Sequence, residues 1–220
     1  MPLPKDHIFF GYANKLTDEQ LEYVNSMIDN QMTVANAIAG SGKTTLATMV
    51  AKYLGMELVY IFSPVEEKSL GFTPGSVEDK ESKYLVPLKD ALLEINEDPN
   101  RSIIYEDNID NIKNGTAWVH AMSHVFARGT NIKGNKFVLI DESQNFTRGE
   151  LKKVLTRIHD DCKVVMIGHD GQCDLKNKSK SGFIPYLEHF KNEKYAKICK
   201  LTKNFRGKLA THADKLEWWF

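Results

Sequence analysis

Cysteine is scarce: Cys162, Cys173 and Cys199 are an odd set with no Cys-x-x-Cys pair, which excludes a disulfide framework and predicts a reducing compartment. Net charge is missing as well. Lys plus Arg number 29 and Asp plus Glu number 29, so no global imbalance marks a nucleic-acid-binding or membrane-surface protein. No apolar run approaches the length that crosses a bilayer, and the opening Met-Pro-Leu-Pro-Lys-Asp has no apolar signal core. Repeats and low-complexity tracts are absent from the sequence too. These absences predict a soluble, cytoplasmic protein without a membrane partner, and 220 residues suffice for a single domain that buries a sheet under helices.

What is present is more specific. Ala37-Ile-Ala-Gly-Ser-Gly-Lys-Thr-Thr45 has the form of a phosphate-binding loop, with Ala37 where the first glycine of GxxxxGK[ST] usually stands. Phosphate oxygens need a ring of backbone N–H donors, and a chain turns its amides inward that tightly only where side chains are missing, hence Gly40 and Gly42. Lys43 is expected to reach the β and γ phosphates, and the Thr44 hydroxyl to hold Mg²⁺. Ala39, Gly40, Ser41, Gly42, Lys43, Thr44 and Thr45 are together the expected contacts of a bound ATP. Met32-Thr-Val-Ala before the loop reads as a strand, and Thr45 to Tyr53 after it as a helix whose N-terminal dipole faces the phosphates.

The rest of the chain fits that context. Thr17-Asp-Glu-Gln20 has the capping-box pattern and opens a helix with Leu21, Val24 and Ile28 on its buried stripe. Strands are predicted at 32–37, 57–62, 136–141, 162–168 and 196–201. Helices are predicted at 43–54, 80–95, 147–158, 183–193 and 206–218. Strands alternating with helices imply an α/β fold, a doubly wound and mostly parallel sheet with ligands at the carboxyl ends of its strands. Residues 1–220 are expected to form one domain with an insertion at about 64–130 and a C-terminal helix at about 206–220.

Charge is uneven along the chain. Six acids lie between Glu94 and Asp110 against Arg101 alone, predicting an exposed stretch. From Lys176 to Lys208 nine lysines and Arg206 face only Glu188 and Glu193, which is either a solvated surface or a track for a phosphate backbone.

Phe137-Val-Leu-Ile-Asp141-Glu142 is an apolar strand ending in two acids. In P-loop ATPases the first such acid orders the Mg²⁺ shell, and the second polarises water for attack on the γ-phosphate. A kinase does not need the second, so the pair favours hydrolysis. Gln172, after the strand ending at Gly168, is placed to sense the γ-phosphate and the attacking water. Arg206 in Asn204-Phe-Arg206 is placed to stabilise charge on the transferred phosphoryl group, within its own chain or across a subunit boundary; an ordinary surface Arg is the plainer alternative. The Gln20 amide is a candidate reader of adenine, or simply half of the capping box. His120 and His124, four apart, would share a helix face, but no third ligand makes them a metal site.

Together these residues resemble the PhoH-like ATPases, whose core looks like the first RecA-like domain of superfamily 1 helicases. The likeness extends through Ser63-Pro-Val-Glu-Glu-Lys-Ser-Leu-Gly-Phe-Thr-Pro-Gly75, Glu78-Asp-Lys80, Tyr84-Leu-Val-Pro-Leu-Lys-Asp90, Arg128-Gly-Thr130, Phe137 to Thr147, Gln172-Cys-Asp-Leu175 and Ser181-Gly-Phe183, over about residues 14 to 210. Ser63 stands where that family usually carries Arg before Pro, and His169 where Asp usually follows Gly. The resemblance implies an ATP- and Mg²⁺-dependent ATPase, with RNA or single-stranded DNA as a partner. A helicase motor usually closes nucleotide between two such cores, so a homo-oligomer, in the form of a ring, is expected, with Trp218-Trp-Phe220 as one candidate for the interface. The competing expectation is a nucleotide-gated binding protein that changes shape with ATP and turns over negligibly.

Overall fold

The computed structural model describes residues 8–12, 15–64, 83–105, 109–127 and 129–213. Five strands fall within a residue of their predicted bounds: β1 Met32–Ala37, β2 Leu58–Phe62, β4 Phe137–Ile140, β5 Lys163–Gly168 and β6 Ala196–Leu201. A sixth, β3 Val119–Ser123, lies inside the interval expected as an insertion and was not predicted. The six form one sheet in the order β3-β2-β4-β5-β1-β6, and every pairing is parallel. The fold is therefore a doubly wound α/β sheet, with all rather than most of its strands parallel.

Burial explains the sequence pattern. β2 and β4 are buried along their whole length, so both faces of each strand must be apolar. Alternate residues serve opposite faces: Ala35, Tyr60, Leu139 and Ile167 join one apolar cluster, and Val34, Val59, Val138 and Met166 the other. The first cluster is covered by α1 Asp18–Asp29, α2 Lys43–Tyr53 and α3 Val86–Glu94, and the second by α4 Arg148–Leu155 and α5 Phe183–Phe190. The predicted capping box of α1 is present, with Gln20 N donating to Thr17 Oγ1 and Thr17 N to Gln20 Oε1.

Two of the predicted helices end early, 147–158 at Leu155 and 183–193 at Phe190. The 80–95 pattern becomes a 3-10 turn at Lys83–Leu85 followed by α3, and the C-terminal pattern gives α6 Lys208–Ala213, with 214–220 and the Trp218-Trp-Phe220 segment outside the described residues. Val65 to Lys80 and Arg128, part of the family likeness, also lie outside them. His120 and His124 do not share a helix: His120 is in β3 and contacts Glu57, while His124 opens a single helical turn, with Nε2 3.3 Å from Glu150 Oε1. Among the described acids of the 94–110 stretch, Glu94, Asp98 and Asp110 are exposed as expected and Glu97 is half-buried. Glu97 meets Lys52 at 3.0 Å and accepts from Ser102 and Trp118, and Glu94 accepts from Thr45.

Candidate functional site

The strand order decides which loops meet. β5 lies between β1 and β4, and the register places Asn36 beside Gly168 and Ile140 beside Met166, so three strands end together. The loop after β1, the acids after β4 and the turn after β5 are thereby gathered at one edge.

The loop between β1 and α2 has the geometry of a phosphate cradle. Gly40 and Gly42 have φ of +71° and +79°, a region that other residues enter only with strain. The first turn of α2 opens directly from Gly42, so its N–H groups lack partners within the helix and its dipole points at the loop. Lys43 Nζ reaches back over the loop to Ala37 O at 3.4 Å. Ser41 Oγ is buried and has no hydrogen-bond partner among the described residues. An inward-turned loop, an arched lysine and an orphaned hydroxyl fit a polyphosphate.

Two contacts join the loop to the acid pair. Thr44 Oγ1 donates to Asp141 Oδ2 at 3.0 Å, and Lys43 Nζ stands 3.3 Å from Glu142 Oε1. Asp141 is held twice more: Tyr60 OH donates to the same Oδ2 at 3.0 Å, and Glu142 N donates to Oδ1 at 2.9 Å. Burial, with Glu142 alongside, raises the Asp141 carboxyl above its ordinary value, against the opposing pull of Lys43, Thr44 and the Glu142 amide. Burial and Asp141 push the Tyr60 phenol far above its ordinary value, so it is a permanent donor. Glu142 itself has φ +49°, a left-handed conformation that turns the chain sharply after β4. A hard divalent cation suits this oxygen set, since the proton of Thr44 is directed at Asp141 and its lone pairs stay available.

Gln20 uses both ends of its amide on the protein: Oε1 accepts from Thr17 N and Nε2 donates to Ser41 O at 3.0 Å. It therefore buttresses the loop. Asn204-Phe-Arg206 folds back onto the loop of its own chain, with Phe205 N donating to Gly40 O at 2.8 Å and the Arg206 stem packed across Gly40. Thr202, just before, is gripped by Glu19 through both its N–H and its hydroxyl at 2.7 Å. Gln172 sits in the turn after β5, its N–H donating to His169 O at 3.3 Å, with Cys173 and Asp174 beyond it facing the cleft described next.

Sequence reasoning missed Tyr60 and Gln144. Gln144 bridges Glu142 Oε2 to the backbone of His169, tying the second acid to the β5 turn. Both residues lie within quoted motifs or strands, but polar contacts between separate strand ends leave no periodic signal. On the far side of Glu142 a cleft of about 990 Å³ opens, lined by Phe62, Tyr84, Asn145 and Lys83, and by Lys176, Lys178 and Lys180. The basic run is therefore divided: those three lysines face the cleft, whereas Lys191 pairs with Glu188 and Lys197 with Glu22. No helix among the described residues is long and apolar enough to cross a membrane.

A family model described as PhoH-like protein matches residues 13–215. A PhoH-like protein of Synechocystis sp. is 33% identical over 172 residues, covering 76% of this chain and 49% of that protein. A PhoH-like protein of Bacillus subtilis is 30% identical over 178 residues, covering 78% and 53%. The chain thus spans about half the length of the curated relatives it matches. Among solved structures, a large terminase from the thermophilic bacteriophage D6E in complex with ADP superposes with a TM-score of 0.50 at 12% identity, over 84% of this chain and 45% of that one, a likeness of fold. With the matched span taking in the phosphate loop, the acid pair and the Asn204-Phe-Arg206 segment, this chain belongs to the PhoH-like protein family.

Proposed function

We propose that this chain is a Mg²⁺-dependent ATPase that couples hydrolysis to RNA or single-stranded DNA. The observation that carries the reading is the direct contact between loop and acids, Thr44 with Asp141 and Lys43 with Glu142. Residues 39 to 45 wrap the phosphates, and Lys43 exchanges Glu142 for the β and γ oxygens as ATP enters. Thr44 and Asp141 hold Mg²⁺, which when bound offsets charge building on the phosphate oxygens. Released from Lys43, Glu142 accepts the proton of the attacking water, and Gln144 keeps its carboxylate from swinging away. Gln172 reports the γ-phosphate. Arg206, lying on the loop of its own chain, acts in cis on the transferred group, and Gln20, which supports the loop through Ser41 O, contacts adenine as well in this reading. A homo-oligomer in ring form lets a neighbouring copy close over the nucleotide.

A second reading, a nucleotide-gated binding protein with negligible turnover, is favoured by the same Lys43–Glu142 pair, which neutralises the base until a phosphate competes for the lysine. Glu142→Gln separates the two. As an ATPase, the variant keeps ATP binding and loses phosphate release by at least about a hundredfold. Near-zero release from both proteins rejects hydrolysis and leaves the gated binder.

A further inference from the structure

Asp141 carries more donors than a strand end requires. Of the roughly four lone-pair sites on a carboxylate, Thr44 and Tyr60 occupy two on Oδ2 and the Glu142 amide one on Oδ1. Tyr60 belongs to the apolar face it shares with Leu139 and Ile167, where a phenylalanine would pack as well. The residue is 1% exposed, and its hydroxyl crosses from β2 to the end of β4, where Tyr60 pairs with Leu139 two positions before Asp141. A buried hydroxyl in such a place is favourable only with a partner, and here the partner is a carboxylate.

We propose that Tyr60 is a positioning residue for the divalent cation: by anchoring Oδ2 of Asp141 it fixes the acceptor of the Thr44 proton, and so orients the Thr44 oxygen toward Mg²⁺. The inference rests on the Mg²⁺-nucleotide reading above. Without the phenol, only Thr44 on Oδ2 and the Glu142 amide on Oδ1 hold the carboxylate, which gains freedom to turn about its Cβ–Cγ bond and carries the Thr44 hydroxyl with it. Contacts one step removed from a metal characteristically change its affinity by about ten- to a hundredfold.

The test is calorimetric titration of ADP into the parent chain and Tyr60→Phe, in EDTA and across a Mg²⁺ series. The expected result is ADP affinity within about twofold of the parent in EDTA, and a Mg²⁺ midpoint raised about tenfold. Leu139→Val, which loosens the same face without touching Asp141, lowers the melting temperature and leaves the Mg²⁺ midpoint in place. In an Asp141→Asn background Tyr60→Phe adds less than about twofold. An unmoved Mg²⁺ midpoint, an equal loss with and without Mg²⁺, full additivity with Asp141→Asn, or failure of Tyr60→Phe to fold each overturns the proposal. A parent chain whose ADP binding ignores Mg²⁺ overturns the ATPase reading along with it, so the two failures are distinguishable.

Discussion

Lys43 and Glu142 form an ion pair of 3.3 Å between the phosphate loop and the end of β4, with the lysine side chain 10% exposed and the glutamate 44%. The pair joins the group that must meet phosphate to the group that must meet water, and each is held from its task while the other is near. Phosphate oxygens attract Lys43 more strongly than one half-exposed carboxylate does, because they offer several charged acceptors at once. Lys43→Ala is therefore expected to weaken ATP binding by about ten- to a hundredfold, the size of one or two lost charge-assisted hydrogen bonds. Equilibrium titration with a fluorescent ATP analogue measures it, and affinity within twofold of the parent would contradict the assignment.

Gly40 joins the loop to the Asn204-Phe-Arg206 segment. A Cβ there would lie 2.8 Å from both Arg206 Cγ and Asn204 Oδ1, at a φ of +71° that already disfavours side chains. Gly40→Ala should cost about 1–2 kcal/mol in stability from the left-handed backbone, and more where the Phe205–Gly40 hydrogen bond is lost. Removing the obstacle in the double variant Gly40→Ala, Arg206→Ala should recover part of it. Denaturant unfolding of the parent and the two variants checks this, and a double variant no more stable than Gly40→Ala would show that Arg206 does not rest on the loop.

The most legible parts of the chain were those whose meaning is local. Gly40 to Thr45 and Asp141-Glu142 announce themselves because neighbouring residues act together, and β2 and β4 do so because burial on both faces demands unbroken apolar runs. β3 escaped notice because it is an edge strand with His120, Ala121 and Met122 only partly buried, so neither an apolar run nor a clean alternation marks it. Tyr60 to Asp141 and Glu19 to Thr202 are contacts across 81 and 183 residues. Such pairs exist only once the strand order is set.

Glu97 gives the fold an acid-sensitive clasp. Burial alone would raise its carboxyl, but Lys52, Ser102 and Trp118 together hold it below the ordinary glutamate value. A carboxylate with a depressed folded value contributes stability that is complete above the unfolded value, near 4.5, and is lost as pH falls through the folded one. Stability should therefore decline as pH falls below about 4.5. Glu97→Gln should lower stability at neutral pH by about 1 kcal/mol and flatten that decline. Thermal melts across the acid range decide it: parallel curves for parent and variant would remove Glu97 from the account.

The divided lysine run makes the nucleic-acid coupling testable position by position. Lys176, Lys178 and Lys180 line the cleft that begins at Glu142, beside the stacked rings of Phe62 and Tyr84, whose centroids are 5.6 Å apart. Lys191 and Lys197 are engaged by Glu188 and Glu22 on the surface. If a single strand tracks the cleft, replacing the three cleft lysines by alanine should abolish most stimulation of ATP hydrolysis by RNA. It should also reduce the slope of log K against log salt by about 2, since each phosphate contact on a single strand contributes about 0.7. Lys191→Ala with Lys197→Ala should leave that slope within about 0.5 of the parent. Equal effects from the two sets would mean that charge acts at long range over the whole surface, and that the cleft is not the path of the strand.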